Sequence, residues 1–379
     1  MNLVIYMAGG VLLVVVMHLI VGWFLANGLR RELLLVYPRE KDLSVRVRMA
    51  TADRVVLEAP EPRQDIGHPG VLGMVWNGGH GEVGEVLDAR DSTITRVFHE
   101  IEGTPPICVG PLEDCEPVEL DGFVFRSDPL DVGLGFDTIT YQTELGPMAA
   151  WSVPAGDGRK WAVLCHGWTV DKRELLRVLP TFHRAGWSSL VIDYRNDPGA
   201  PVDPTGHYRF GVSEWRDVES AVQHVLDSGA EDVLLMGCST GAALVMSFLE
   251  TSKLATRVSA IVLDSPNLIL ADTVRAGTVD LRATRLMIEL GMWIADVRWD
   301  IDWEATNHVE RSPETLDVPA LVFHGTSDPT VPISESRQLR AAVPELVDLV
   351  ETPAAGHVMS WNADRERYEG YLERFLDRL

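Results

Sequence analysis

The feature that most constrains the fold is a regular alternation of short apolar runs with amphipathic stretches between residues 161 and 352. The apolar runs include WAVLCH at 161–166, DVLLMG at 232–237, VSAIVLD at 258–264 and PALVFHG at 319–325. Strands that are apolar on both faces and are separated by helices are typical of a parallel sheet covered on both sides. The sequence therefore predicts an α/β fold with a doubly wound, mostly parallel sheet.

The hydrophobic pattern of the flanking sequence sets the limits of this α/β domain. Two alternating runs, DTITYQTE and GPMAAWSVP, predict an antiparallel hairpin ahead of the first parallel strand, so we place the domain at 131–379. Residues 266–317 interrupt the alternation with a helical pattern and predict a short cap-like insertion. Trp293, Trp299 and Trp303 in this insertion could cover a site or simply pack helices together.

Residues 43–130 have a different character, with short β-like runs separated by Gly, Pro and Asp. No helical periodicity is present, and we predict a small β-rich module of unknown role. The Gly-rich stretch NGGHG at 77–81 is not followed by a helix pattern, which indicates a strand turn and not a phosphate-binding loop.

The N-terminus carries 24 consecutive residues without a formal charge, from Leu3 to Ala26. A helix of this length measures roughly 36 Å and exceeds a bilayer core of about 30 Å. No Lys or Arg precedes the run, and it is longer than the apolar core of a signal peptide, although cleavage near Ala26 stays open. We predict a transmembrane helix at 3–26, followed by a juxtamembrane linker at 27–42.

Two features bear on which side of the membrane the chain occupies. Arg30, Arg31, Arg39 and Lys41 follow the apolar run, and the positive-inside rule then places the remaining chain in the cytoplasm. Cys108 and Cys115 are either two free thiols or a disulfide that closes a small loop in an oxidising compartment. The sequence leaves the extracytoplasmic side open.

The charge balance limits the partners. The chain has 33 Lys and Arg against 56 Asp and Glu, a formal charge of −23, which argues against nucleic acid because no basic surface neutralises phosphates. The four cysteines form no CxxC pair, and no zinc spacing or dinucleotide fingerprint is present. We therefore expect no cofactor and no metal.

The stretch MGCSTGAALVM at 236–246 places Ser239 between Gly237 and Gly241, where a predicted strand meets a predicted helix. This context is the one required for a nucleophile elbow. The two glycines remove side chains where the backbones crowd, and the N–H of Thr240 at the helix start can donate to an oxyanion.

A serine hydroxyl needs a base, and in such a sheet the base comes from loops at the carboxyl ends of the strands. Asp328 in HGTSDPTVP and His357 in PAAGHVMSW follow two later strands, giving the order Ser, Asp, His. We predict that Ser239 is the nucleophile, His357 the general base and Asp328 the orienting acid. CHGWTVDKRE ends an earlier strand, so the N–H of Trp168 is the second predicted oxyanion donor.

With these motifs, residues 137–379 resemble the α/β-hydrolase superfamily, and within it the prolyl-oligopeptidase and serine-aminopeptidase branch. The matching segments are HGW at 166–168, GCSTG at 237–241, HGTSDPTVP at 324–332 and GH at 356–357. The resemblance implies a serine hydrolase that forms an acyl-enzyme. It also offers an alternative acid, since Asp264 in VLDSPN lies where some members of the superfamily place it.

The sequence is compatible with three functions. We expect a membrane-anchored hydrolase of a small-molecule carboxylic ester or thioester. A peptidase would use the same triad and would need a carboxylate for the substrate amine; the cap-like insertion offers four candidates, Asp296, Asp300, Asp302 and Glu304. The third function is binding by a catalytically inactive hydrolase fold. The sequence does not identify the natural substrate or the oligomeric state.

Overall fold

The structure is a computed structural model that describes residues 2–36, 45–59, 67–90, 92–278 and 283–379. It begins with helix α1, Asn2–Leu29, which continues as one π-helical turn at Arg30–Leu34. The segment Leu12–Leu34 is long and apolar enough to cross a membrane. Its first half is exposed on the surface of the protein, whereas Ala26 and Leu34 are buried.

The stretch predicted as a juxtamembrane linker is different in the structure. Residues 27–36 extend the helix and then pack on the α/β domain, where the N–H of Tyr208 donates to the carbonyl of Leu34. The apolar run Leu33–Val36 causes this, because Leu34 is 4% exposed and joins the core of the large domain. The remainder of the predicted linker, including Arg39 and Lys41, lies outside the described residues.

A six-stranded closed barrel follows, in the strand order β1-β2-β5-β4-β3-β6. Its strands are β1 Val45–Ala50, β2 Arg54–Glu58, β3 Leu72–Trp76, β4 Gly79–Arg90, β5 Thr93–Glu102 and β6 Pro117–Asp121. Alternate residues such as Val45 and Val47 point inward, as the period of a strand requires. This is the predicted β-rich module, and Asn77 and Gly78 form the turn between β3 and β4.

The large domain contains an eight-stranded sheet in the order β14-β13-β12-β11-β9-β10-β8-β7. Its strands are β7 Asp137–Thr143, β8 Gly146–Val153, β9 Lys160–Cys165, β10 Ser188–Ile192, β11 Asp232–Cys238, β12 Val258–Asp264, β13 Ala320–Gly325 and β14 Val347–Thr352. Strands β9 to β14 pair in parallel, and the hairpin β7–β8 adds an antiparallel edge. The predicted α/β fold with a mostly parallel sheet is confirmed.

Helices cover both faces of this sheet, and two buried apolar clusters lie between them and the strands. A 3-10 helix at Lys172–Val178 precedes the α-helices, which are α2 Leu179–Arg184, α3 Trp215–Asp227, α4 Thr240–Thr251, α5 Leu270–Gly277, α6 Arg285–Trp299, α7 His308–Thr315, α8 Ser334–Ala342, α9 Ser360–Ala363 and α10 Arg365–Leu376. Helices α5, α6 and α7 form the predicted insertion. The register brings the site together, because Gly237 on β11 lies opposite Cys165 on β9, and Cys238 lies opposite Asp264 on β12.

The barrel packs directly on the large domain. The side chain of Asn362 donates to the carbonyl oxygens of Val71 and Gly122, at 2.9 and 3.0 Å. A Cβ at Gly122 would lie 2.8 Å from the sulfur of Met359, so the two domains touch closely here. The barrel therefore reaches the loop that carries His357.

Cys108 and Cys115 are joined in a disulfide between β5 and β6. This arrangement is one of the two that the sequence left open. Cys165 and Cys238 are buried in the large domain as thiols.

Candidate active site

The candidate nucleophile lies on a strained turn between β11 and α4. Ser239 has a φ of 51° and a ψ of −115°, in a region that side chains rarely adopt and that typically costs about 1–3 kcal/mol. Two backbone hydrogen bonds hold the turn: the N–H of Ser239 donates to the carbonyl of Asp264 at 2.8 Å, and the N–H of Ala242 donates to the carbonyl of Ser239 at 3.1 Å. The geometry is that of the predicted elbow.

The two elbow glycines are required by close backbone contacts. A Cβ at Gly237 would lie 2.4 Å from the backbone of Gly241 and Ala242. A Cβ at Gly241 would lie 2.4 and 2.5 Å from the carbonyl oxygens of Cys165 and His166. A side chain at Gly237 would therefore collide with the start of α4, and a side chain at Gly241 would push the elbow away from the end of β9.

The structure brings the three predicted triad residues together. The Oγ of Ser239 lies 2.8 Å from the Nε2 of His357. The Nδ1 of His357 lies 2.7 Å from the Oδ2 of Asp328. Ser239 is 9% exposed and the side chain of Asp328 is fully buried, whereas the imidazole of His357 keeps 21% of its surface exposed. The hydroxyl, the imidazole and the carboxylate form one continuous hydrogen-bonded chain.

The surroundings of Asp328 keep this carboxylate ionised. Burial alone would raise its pKa, but hydrogen bonds from His324 and His357 and from the N–H of Val331 hold the pKa well below its ordinary value. The N–H groups of Thr330 and Val331 both donate to Oδ1, at 2.8 and 2.9 Å, which leaves Oδ2 for the histidines. The SDPTV sequence thus folds around its own carboxylate.

Asp264, the alternative acid, occupies a different place. Its carboxylate is fully buried and accepts the hydroxyl of Tyr368 at 3.1 Å, with the guanidinium of Arg177 at 4.0 Å. Burial raises the pKa of Asp264. These contacts place Asp264 in the core beneath the elbow. The carboxylate that contacts the Nδ1 of His357 is that of Asp328.

The residues that carry the two predicted oxyanion donors both adjoin Ser239. Thr240 is the first residue of α4, and its N–H therefore points from a helix N-terminus. Trp168 lines the same cavity as Ser239. A Cβ built on Gly167 would lie 3.4 Å from the Cβ of Ser239, so the HGW loop passes directly beside the nucleophile.

His166 fixes this loop from below. Its Nδ1 contacts the carbonyl of Gly167 at 2.8 Å, and its Nε2 contacts the Oδ2 of Asp197 at 2.9 Å. Burial would lower the pKa of His166, but the Asp197 carboxylate raises it to about 9. A protonated ring donates from both nitrogens, which suits a role in holding the loop and not in accepting a proton.

His166, Asp193 and Asp197 also form the one cluster of metal-ligand type found in the part of the chain described, with ligand atoms within 4.8 Å of one another. The ammonium of Lys172 pairs with Asp193 and supplies a cation at this place. The cluster therefore balances its charge within the protein. Cys238 points into the core, and burial raises the pKa of its thiol well above its ordinary value, which argues against a nucleophilic role.

Sequence reasoning missed several residues of the site. Beside Ser239 lies a cavity of about 200 Å³, whose wall includes Gly122 and Phe123 from the end of the barrel and Glu174, Arg177 and Met359 from the large domain. The Oε2 of Glu174 accepts the N–H of Gly167 at 2.7 Å and so helps to shape the HGW loop. The barrel residues carried no signal, because a contact between distant segments leaves no local pattern.

The barrel also contacts the histidine loop itself. The N–H of Gly356 donates to the Nε2 of His68 at 3.2 Å, one residue before His357. The N–H of Val358, one residue after His357, donates to the Oγ of Ser265 at 3.0 Å. His357 is therefore held from both sides, once by the barrel and once by the large domain.

Comparisons with known proteins agree with this architecture. Residues 162–369 match the sequence model of the alpha/beta hydrolase family. The esterase Pf2001 of Pyrococcus furiosus, in its P21 crystal form, superposes with a TM-score of 0.54 at 20% identity, covering 67% of this chain and 96% of that chain. Its C2221 form gives a TM-score of 0.53 at 18% identity, covering 67% and 94%.

No curated protein shows significant sequence similarity to the chain. At such identities the esterase structures establish the common fold alone. The family match covers more than half of the 379 residues. The chain belongs to the alpha/beta hydrolase family.

Proposed function

We propose that the protein is a membrane-anchored serine esterase that cleaves a carboxylic ester or thioester. The observation that carries this proposal is the continuous chain of hydrogen bonds from Ser239 through His357 to Asp328. A hydroxyl, an imidazole and an ionised carboxylate in this order are the requirements for nucleophilic acyl transfer.

The mechanism follows from the positions of these groups. The Oγ of Ser239 attacks the ester carbonyl carbon while its proton passes to the Nε2 of His357. The N–H groups of Trp168 and Thr240 donate to the oxyanion that forms. The C–O or C–S bond then breaks, and the imidazolium returns the proton to the departing alcohol or thiol. Water attacks the acyl-enzyme by the same route, which releases the acid and restores Ser239.

An ester suits the site better than a peptide. Of the four acids considered for an amine-binding role, Asp300 and Asp302 line a separate cavity near Arg209, which pairs with Asp300 at 3.1 Å. Among the described residues that line the Ser239 cavity, the carboxylate is that of Glu174, and its Oε2 is engaged by Gly167. A peptidase, the prediction that follows from the resemblance to the aminopeptidase branch, therefore has weaker support. Binding by an inactive fold is disfavoured because the triad geometry is complete.

Helix α1 is proposed as a permanent anchor and not as a cleaved signal sequence. Ala26 is fully buried, and Gly22 packs against Leu290 and Ile294 of α6. Cleavage after Ala26 would remove both of these residues and expose apolar surface on α6. A segment that packs into the mature domain has a structural role there.

Two observations point to opposite sides of the membrane for the large domain. The basic residues Arg30 and Arg31 favour the cytoplasmic side. Arg30, however, also has a contact within the protein, because its Nε lies 3.3 Å from the Nε2 of His207. The disulfide between Cys108 and Cys115 favours an oxidising compartment. We propose the extracytoplasmic side, in place of the cytoplasmic side that the basic residues predict.

Steady-state hydrolysis of p-nitrophenyl butyrate by the full chain tests the proposed activity. We expect turnover by the wild type and a loss of roughly 10³-fold or more in Ser239→Ala. A peptide 4-nitroanilide run in parallel distinguishes the peptidase. Wild-type activity that Ser239→Ala retains would show that another group performs the chemistry.

A further inference from the structure

A second and larger cavity lies between the N-terminal helix and the insertion. It has a volume of about 500 Å³ and is bounded by α1, α5, α6 and the loop that follows Asp328. Leu25 and Leu29 of α1, Val274 of α5 and Ile288 of α6 give it apolar walls. Arg31 and Glu32 are the charged members of its described lining, and they pair with each other at 2.8 Å. We call this cavity the α1 groove.

Glycines set the spacing of the helices around the α1 groove. A Cβ at Gly291 of α6 would lie 2.9 Å from the Cβ of Leu25, and a Cβ at Gly22 would lie 3.0 Å from Leu290. The two helices thus meet in the close contact that small residues allow in membranes. Gly28, one turn further along α1, lines the α1 groove, and a Cβ there would meet no atom within 4 Å. Absence of a side chain at Gly28 leaves the space open.

The α1 groove is continuous with the surface that the membrane helix presents to lipid. Phe24 of α1 lines the α1 groove and is 70% exposed, and the preceding exposed residues of the same helix, at 12–17, 19, 20 and 23, continue this surface. Helix α6 adds one exposed apolar face of its own, which consists of Leu286, Trp293 and Val297.

Aromatic and basic side chains mark the level of the lipid headgroups. The guanidinium of Arg298 lies 4.0 Å from the ring centre of Trp23 and 4.9 Å from that of Trp299. Such pairs are typical of the membrane–water interface. The α1 groove therefore begins where the acyl chains of a bilayer end.

The inner wall of the α1 groove adjoins residues that support the candidate active site. Pro329 and Thr330 line it, and the N–H of Thr330 donates to the Oδ1 of Asp328 at 2.8 Å. On the opposite side Thr273 lines it, and the Oγ1 of Thr273 lies 3.4 Å from the Oδ1 of Asn267. The N–H of Asn267 donates to the carbonyl of Ser239 at 3.2 Å.

We infer that the α1 groove binds the acyl chain of a lipid ester, which the enzyme takes from the bilayer and cleaves at Ser239. This inference rests on the proposed esterase function and names its substrate class. An acyl chain fits because the walls are apolar, because the volume lies within the usual range for ligand sites, and because one end is continuous with the lipid-facing surface.

The test uses the full chain in phosphatidylcholine nanodiscs with p-nitrophenyl butyrate and p-nitrophenyl decanoate. Each methylene that leaves water contributes roughly fourfold, so burial of only two of the six additional methylenes of decanoate would raise its kcat/KM above that for butyrate by about tenfold or more. Gly28→Phe fills the α1 groove and should lower this ratio by about tenfold. Ile288→Trp, from the opposite wall, should act in the same direction. Because the readout is a ratio, a general loss of folded enzyme does not imitate the effect.

Leu12→Phe is the matched control, since it adds the same ring to a 64% exposed position on the same helix and should leave the ratio unchanged. A wild-type enzyme without chain-length preference, or a ratio that both groove variants preserve, would overturn the inference. Stabilisation by lipid without such a preference would identify a structural lipid and would likewise overturn it. Failure of the proposed function looks different, because neither ester would then be hydrolysed by the wild type.

Discussion

Glu335 offers a sharp test of the electrostatics beneath the insertion. It lies in the first turn of α8 and is fully buried. Its Oε2 accepts the N–H groups of Leu268 and Ile269, at 2.7 and 2.8 Å, and its Oε1 accepts the hydroxyl of Thr273. Burial raises the pKa of Glu335 from 4.5 to about 8, although these hydrogen bonds partly oppose the rise.

The sign of the stability effect follows from this raised pKa. Between pH 4.5 and pH 8 the unfolded chain loses the Glu335 proton while the folded chain retains it, so the free energy of unfolding falls as the pH rises. At about 1.4 kcal/mol for each tenfold change in proton affinity, the full effect is about 5 kcal/mol at pH 8 and above. Glu335→Gln has nearly the same shape and does not ionise, so it avoids this penalty.

The assay is thermal unfolding of the full chain in detergent at pH 5, 7 and 9. At roughly 1–2 °C per kcal/mol for a chain of this size, the Tm of Glu335→Gln relative to wild type should rise by roughly 5–10 °C between pH 5 and pH 9. Glu345→Gln, at an exposed position ten residues away, should show no such change. A Tm difference that stays constant from pH 5 to pH 9 would show that Glu335 is ionised throughout and that its pKa is not raised.

Three further predictions concern the elbow, the barrel and the compartment. Gly241→Ala should lower both Tm and kcat, because its Cβ would collide with two carbonyl oxygens of the neighbouring loop; an active, equally stable variant would contradict the elbow geometry. His68→Ala should lower kcat several-fold at nearly constant Tm, because it removes the barrel's hydrogen bond to Gly356; esterase kinetics like those of the wild type would show that the barrel does not position the histidine loop. Cys108 and Cys115 should react with a membrane-impermeant maleimide on intact cells only after reduction, and labelling confined to lysed cells would restore the cytoplasmic assignment.

The fold of the large domain could be predicted because its signals are local. Most of the parallel strands are apolar runs that end near a Gly, Asp or Ser, as in DVLLMGCS, and these patterns need no knowledge of distant contacts. The order Ser239, Asp328, His357 was readable for the same reason, since each residue follows a predicted strand. The distances between these residues could not be predicted without the strand order, which places the carboxyl ends of β11, β13 and β14 at the same edge of the sheet.

The end of the barrel shows where such reasoning fails. The run DGFVFRS at 121–127 alternates like a strand, yet β6 ends at Asp121. The Asp121 carboxylate accepts the N–H of Phe123 at 2.8 Å and both terminal nitrogens of Arg126, which turns the chain toward the large domain. Local side-chain hydrogen bonds of this kind override alternation. Phe123 thereby reaches the Ser239 cavity.

The packing of the N-terminal helix is a second feature that could not be predicted from the sequence. Its hydropathy predicted a membrane helix, but hydropathy does not distinguish a tether from a packed helix. Gly22 and Ala26 are spaced for close packing, a signal that has meaning only once Gly291 of α6 is known to lie opposite. For this reason the α1 groove could not be predicted from the sequence.

Labelling with a fluorophosphonate probe tests the central claim most directly. The full chain would be labelled as wild type, Ser239→Ala, His357→Ala, Asp328→Asn and Asp264→Asn, and the modified peptide identified by mass spectrometry. We expect a phosphonylated Ser239 in the wild type, loss of labelling in the Ser239 and His357 variants, slower labelling in Asp328→Asn, and labelling retained in Asp264→Asn. A folded wild type that the probe does not modify at Ser239 would contradict this claim.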